Sequence, residues 1–324
     1  MQDTLPRPVS ASGHAFVWPY VIVFAAFHLL ALLALRPDLF SWTGVALVFL
    51  GNYVFGSLGI NIGYHRLLTH RSFKCSKRLE HFFALLGICA LQDSPGRWVA
   101  IHRMHHQHSD EQPDPHSPLV GFIWAHLGWL VTENRSLNRL STYEQYARDV
   151  FRDPFYVRLH RNHTWMWVYA AHAVLFLLAG TLAGWLLTGT REGALQFGRS
   201  VFVWGVIVRT VYVWHITWAV NSATHLWGYR NYATGENSRN NWIVALLTNG
   251  EGWHNNHHAH QKCAAHGHRW WEIDITYLTI LAFRSLGLVT DVISPATPHA
   301  GHGRAEPVLK AGLAPSPLAG LTEA

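Results

Sequence analysis

The stretch VALVFLGNYVFGSLGINIGYHRLLTH, residues 45–70, passes from an apolar run straight into a pair of histidines, His65 and His70. Its first part has the length and composition of a membrane-crossing helix. The run is rich in glycine and carries Asn52 and Asn61, which predicts packing against protein rather than lipid on every side. Three other apolar segments of similar length flank it, so spans are expected at about 16–35, 45–64, 165–187 and 201–220. The fourth is interrupted by Arg209 and His215. Phe82–Leu91 and Leu119–Val131 are apolar but shorter, and read as interfacial or re-entrant helices.

Composition agrees with this outline. Of 324 residues only 14% are charged, and the apolar residues are bunched. The balance of 25 Lys and Arg against 19 Asp and Glu holds no dense basic run, which favours membrane lipid over nucleic acid as a partner. Sixteen tryptophans suit a membrane interface or an acyl channel. Cys75, Cys89 and Cys263 form no CxxC pair, so neither a disulfide framework nor an iron–sulfur cluster is indicated. Basic residues crowd the histidine-bearing loops, whereas the expected outer loops, Arg36–Ser41 and Thr188–Gly198, hold only Arg36 and Arg191. That bias predicts histidines and both termini in the cytoplasm. The expected organisation is a cytosolic tail (1–15), one membrane domain (16–293) and a disordered tail (294–324) rich in Ala, Pro and Gly.

Nine histidines fall in four clusters: His65 and His70; His102, His105 and His106; His225; and His254, His257 and His258. One metal rarely takes more than about six ligands, so nine imidazoles suggest two metals. In each HxxHH box the three- and four-residue spacings put the rings on one helix face, within reach of a shared ion or an ion pair. His65 and His70, five apart, would lie roughly 140° apart on an ideal α-helix, so one of them is expected where the helix ends. Asn221, four residues before His225, could reach the same centre directly or through water. His28, His172 and His215, inside spans, read as hydrogen-bonded core residues. The remaining histidines, including His108, His260, His266 and His268, read as structural or solvent-facing.

With these residues in view, the chain resembles the membrane fatty-acid desaturases, closest to the stearoyl-type delta-nine group and especially its acyl-lipid branch. The matching stretches are HRLLTHRSFK, WVAIHRMHHQHSDEQPDPHSP, NSATHLWG and GEGWHNNHHAH followed by WWEID. The resemblance implies an all-α integral membrane protein with four transmembrane helices, a cytosolic helical cap and a histidine-rich di-metal site. It implies two Fe ions (Fe2+) on the nine histidines, a water hydrogen-bonded to Asn221, and O2 as co-substrate. The reaction would place a cis double bond, at delta-nine, in a saturated acyl chain. An unactivated methylene offers no acidic proton and no leaving group, so side-chain acids and bases alone could not do this. By resemblance, Tyr53 and Ser57 close the far end of an acyl channel, and Gln92, Trp98 and Thr217 shape its bend near the metals. Tyr53, Ser57 and Asn61 step back from His65 by fours, which on an α-helix places them near one face.

Acyl-CoA-type members carry a charged pair just before the second box, where this chain has Ala100 and Ile101. A fatty acyl-CoA or an acyl-lipid therefore both stand as substrates. A fused cytochrome b5 motif is lacking, so a separate ferredoxin-, rubredoxin- or cytochrome b5-like protein, with its reductase, is expected to bring electrons to the basic face. A bacterial inner membrane is the expected setting. Two other readings remain: a di-iron fatty acyl hydroxylase, which shares the first hydrogen abstraction, and a histidine-rich divalent metal transporter. A transporter should hold its ligands near the bilayer midplane, whereas these boxes sit at span ends.

Overall fold

The computed structural model describes residues 4–11 and 15–295. The tail expected from residue 294 therefore lies, beyond its first two residues, outside the described residues. Four helices are long and apolar enough to cross a membrane. They contain α1 (Trp18–Leu35), α2 (Trp42–Thr69), α5 (Thr164–Thr188) and α6 (Arg191–His225). Between them lie α3 (Lys77–Ile88) and α4 (Pro95–His108); after them come α7 (His254–Ala259) and α8 (Ile275–Ser285).

Local sequence explains the helix starts. Ser41 caps α2 by accepting the Gly44 N–H at 2.9 Å, and Ser94 with Pro95 opens α4. Thr190 caps α6, so the link from α5 is two residues long. The outer loop expected over Thr188–Gly198 is thus corrected: most of it is helix, because Thr190 supplies a cap and no proline follows. Asn162 and His163, both at positive φ, separate α5 from the short helix Pro154–His160.

The four long helices are not equivalent. More than half of the α2 and α6 spans is buried, against 11% and 17% for the first and third. α2 and α6 are therefore inner helices, as the glycines and asparagines of α2 predict, and α1 and α5 are outer. Gly59 lets α3 lie against α2, because a Cβ there would come within 2.6 Å of the Leu86 carbonyl carbon.

Residues 52–69 wind as a π-helix, with hydrogen bonds reaching five residues back. The last is the His70 N–H to the His65 carbonyl, 3.1 Å. This winding corrects the expected 140° separation of the two rings. Residues five apart return to one face, and the His65 and His70 ring centres lie 4.8 Å apart. His70 does sit at the C-terminal cap. Part of α6, Val203–Val208, is wound the same way.

Candidate metal centre

Four elements deliver the nine imidazoles. α2 ends on His65 and His70, α4 carries His102, His105 and His106, α6 ends at His225, and α7 carries His254, His257 and His258. They converge as two groups. His65, His70, His102, His106 and His257 form one, and His105, His225, His254 and His258 the other; within each group the ligand nitrogens lie within 4.8 Å of one another. Each HxxHH box is divided between the groups. In both, the histidines four apart join one centre and the third serves the other, so α4 and α7 each bridge the pair.

The contacts are those of a ligand shell. His257 Nε2 lies 3.1 Å from His65 Nε2 and 3.0 Å from His106 Nε2, which is itself 3.0 Å from His102 Nε2. A ring nitrogen has one proton or one lone pair, so it cannot satisfy two such neighbours by hydrogen bonding. In the second group His254 Nε2 meets His225 Nε2 at 3.2 Å and His258 Nε2 at 3.0 Å. Neighbouring nitrogens held at right angles by metal bonds of about 2.1 Å would be about 3.0 Å apart. His70 Nε2 and His105 Nε2 are buried without any partner. Burial first, then the neighbouring rings, hold His102, His106, His254, His257 and His258 well below the ordinary imidazole range. They are therefore neutral at pH 7, the state a metal requires. The residues present fit two bound metal ions.

Acidic groups steady the shell from behind. His65 Nδ1 faces Glu251 at 2.5 Å, His105 Nδ1 faces both Asp114 oxygens at 3.0 Å, and His225 Nδ1 faces Asp110 at 3.1 Å. Such partners fix each ring's tautomer and leave Nε2 free for metal. Burial alone would raise Asp114 and Glu251, but His105 for the first, and Arg66 with His65 for the second, hold both below the usual carboxylate range. Arg66, fully buried, bridges Glu251 at 2.7 Å and Asp274 at 2.9 Å. Sequence reasoning missed these carboxylates, although Asp110 and Asp114 lie in the SDEQPD run and Glu251 in GEGWH. It also set His266 aside, yet that ring is buried, 4.4 Å from His257 and 3.4 Å from Glu251. His116 likewise packs against His105, its ring tilted by 34° and the ring centres 4.3 Å apart.

A cavity of about 780 Å³ runs past both groups, touching His65, His102, His254 and Asn221. Gln92, Trp98 and Thr217 line it. Gln92 Nε2 donates to Thr217 Oγ1 at 2.9 Å, and Trp98 stacks on His102 at 4.8 Å. Tyr53 and Ser57 do not line it. The Tyr53 hydroxyl bonds Thr279 at 2.9 Å, and Ser57 accepts from Asn249 at 2.7 Å. The cause is again the π winding: the α2 residues on the cavity are Asn52, Gly56, Ile60, Asn61 and His65, a stride longer than four.

The model of the fatty acid desaturase family matches residues 39–283. The chain belongs to that family. It is a desaturase, an oxidoreductase. It is 43% identical to an sn-1 stearoyl-lipid 9-desaturase of Anabaena variabilis over 85% of this chain and 93% of the relative. It is 42% identical to an sn-2 palmitoyl-lipid 9-desaturase of Nostoc sp. (strain 36), over 88% and 93%. An acyl-CoA C20 Delta5-desaturase of Anemone leveillei is 40% identical, over 86% and 83%. Neither the hydroxylase nor the transporter reading is favoured by these relatives. The desaturase's histidine groups sit where α2 and α6 end.

Among the histidines read as core, His172 is buried on Arg209 at 3.1 Å. His28 and His215 bond each other at 2.9 Å, and His126 joins them, but His215 is exposed on the helix surface.

Proposed function

We propose that this desaturase introduces a cis double bond at the ninth carbon of a saturated chain carried on a glycerolipid. The five- and four-histidine groups would each hold one Fe ion, and Asn221, which lines the same cavity as His254, would hold a water at the centre. Bound iron would supply activation of O2, the chemistry that side chains lack. The protein positions the chain: Trp98, Gln92 and Thr217 press the cavity against both groups, so the carbons lying there are the ones that react. Removing two hydrogens while reducing O2 to two waters takes two further electrons and two protons. A separate ferredoxin-, rubredoxin- or cytochrome b5-like donor would bring the electrons to the face that carries the histidines, which the basic bias of their loops supports as the cytoplasmic one.

One observation favours a lipid carrier. The cavity wall includes residues from the starts of two outer helices, Pro19, Tyr20 and Val23 of α1 and Trp165 and Met166 of α5. Pro19 and Met166 are also exposed. An opening between two lipid-facing helices admits a chain that never leaves the bilayer. Arg97 in that wall is already paired with Asp93 at 2.7 Å, and Ala100 and Ile101 are buried. Neither feature offers a cation to coenzyme A.

Purified protein in liposomes of a distearoyl glycerolipid, with stearoyl-CoA run in parallel under the same reductant, tests this. A C9–C10 cis double bond on the lipid-borne chain and two irons per chain are expected. Hydroxyl addition without loss of two hydrogens would refute desaturation, and product from stearoyl-CoA alone would refute the lipid carrier.

A further inference from the structure

Tyr53 and Ser57 leave the inner end of the cavity unexplained. Of the residues lining it, Asn52 and Gly56 lie farthest along α2 from His65, and Val213 lies farthest along α6 from His225. One α-helical turn below Val213 lies Arg209, completely buried inside a span. Its stem packs directly behind the α2 wall: a Cβ on Gly51 would stand 2.8 Å from Arg209 Cγ.

An ionised side chain at that depth is costly unless every donor is engaged. Arg209 is engaged without a carboxylate among the described residues. Nη1 donates to the Cys89 carbonyl at 2.5 Å, Nη2 to His172 Nε2 at 3.1 Å, and Nε to the Gly205 carbonyl at 3.1 Å. Its Cζ lies 4.4 Å over the Phe55 ring. Four elements, α2, α5, α6 and the end of α3, thus hold one guanidinium in place. Moving it would strand a charge in a low-dielectric interior.

We propose that Arg209 is the floor of the acyl cavity and sets the longest chain accepted. A terminal methyl can rest on Asn52 and Val213. One more ethylene unit would have to displace the clamped guanidinium or lie against it in place of apolar contacts. Floor rigidity, rather than floor size, then gives the length limit its sharpness. This rests on the cavity being the acyl site.

The test is a competition among equimolar palmitoyl, stearoyl and arachidoyl chains, read as ratios of desaturated products so that enzyme amount cancels. Arg209→Met should raise the C20:C18 product ratio about tenfold, since an unclamped thioether can yield. Arg209→Lys keeps a cation but loses the three-way clamp, and should move the ratio the same way by less. Val213→Phe should lower C18:C16. Metal content per chain checks folding. Arg209 variants that retain two metals and keep C20:C18 within twofold of the parent overturn the proposal. If neither accumulates, an unchanged C18:C16 in Val213→Phe places the floor elsewhere and overturns it too. No product from the parent on any chain would instead fail the desaturase reading itself.

Discussion

Asp114→Asn is the sharpest probe of the groups behind the histidines. The Asp114 carboxylate receives three N–H donors: His105 Nδ1 at 3.0 Å from each oxygen, the Asp110 amide at 2.9 Å and the His116 amide at 3.0 Å. Asparagine keeps one acceptor oxygen and replaces the other with an NH2. Whichever way the amide turns, at least one donor faces another, a buried mismatch of about 1–3 kcal/mol. The His105 ring then loses its fixed tautomer, and loss of such a partner typically weakens metal affinity about 10–100-fold, or roughly 1.4–2.7 kcal/mol. Only the four-histidine group contains His105. Titration of metal-free protein against a competing chelator should therefore show one equivalent bound as in the parent. The second should need 10–100-fold more free metal, and turnover should fall with it. Glu251→Gln should produce the same split at the five-histidine group, through His65. If Asp114→Asn binds both equivalents with parental affinity, the carboxylate does not steady the ligand and the reasoning fails.

Three further outcomes follow from the geometry. His106→Ala removes a ligand that touches both His102 and His257, and should abolish turnover while the protein still inserts in membranes; surviving unsaturation in a lipid extract would contradict this. Thr217→Val deletes the hydroxyl that Gln92 donates to, and should scatter the double-bond position over neighbouring carbons, read by mass spectrometry of double-bond adducts. Tyr53→Ala should leave the chain-length profile unchanged, because that hydroxyl is committed to Thr279 outside the cavity; a shift to longer products would return Tyr53 to the acyl channel.

The existence of four long helices was legible because an apolar run of about twenty residues has few alternatives. α2 also showed its inner position, through glycines and asparagines that lipid would not tolerate on every side. Its winding was hidden. Periodicity arguments assume the α stride, and nothing in NYVFGSLGINIGYHRLLT announces hydrogen bonds that reach five residues back. That assumption accounts for the misjudged angle between His65 and His70, and the same winding sets Asn52 and Gly56, rather than the Tyr53 and Ser57 that the resemblance suggested, on the wall of this cavity. The start of α6 was obscured differently, since Arg191, Glu192 and Gly193 look like a loop until Thr190 is recognised as a cap.

The carboxylates were harder to see than the histidines for an electrostatic reason. Imidazole ligands are neutral, so nine of them would bring no charge to offset two metal cations, and any compensation would come from groups that do not touch the ions. Asp110, Asp114 and Glu236 lie behind the four-histidine group, whereas Glu251 behind the five-histidine group is shared with Arg66. These acids lie 3, 4, 8 and 11 residues from the nearest ligand in sequence, so no shared spacing marks them. Their role is visible only once folding sets each against an Nδ1. The two centres are therefore electrically unequal although built from the same ligand. Three acids with no arginine paired to them among the described residues would favour a cation more strongly than one acid whose charge is partly offset by a buried guanidinium. Neutralising Asp114 should accordingly weaken metal binding without disturbing the five-histidine group, while neutralising Glu251 should also loosen Arg66, leaving that guanidinium Asp274 as its one charged partner among the described residues.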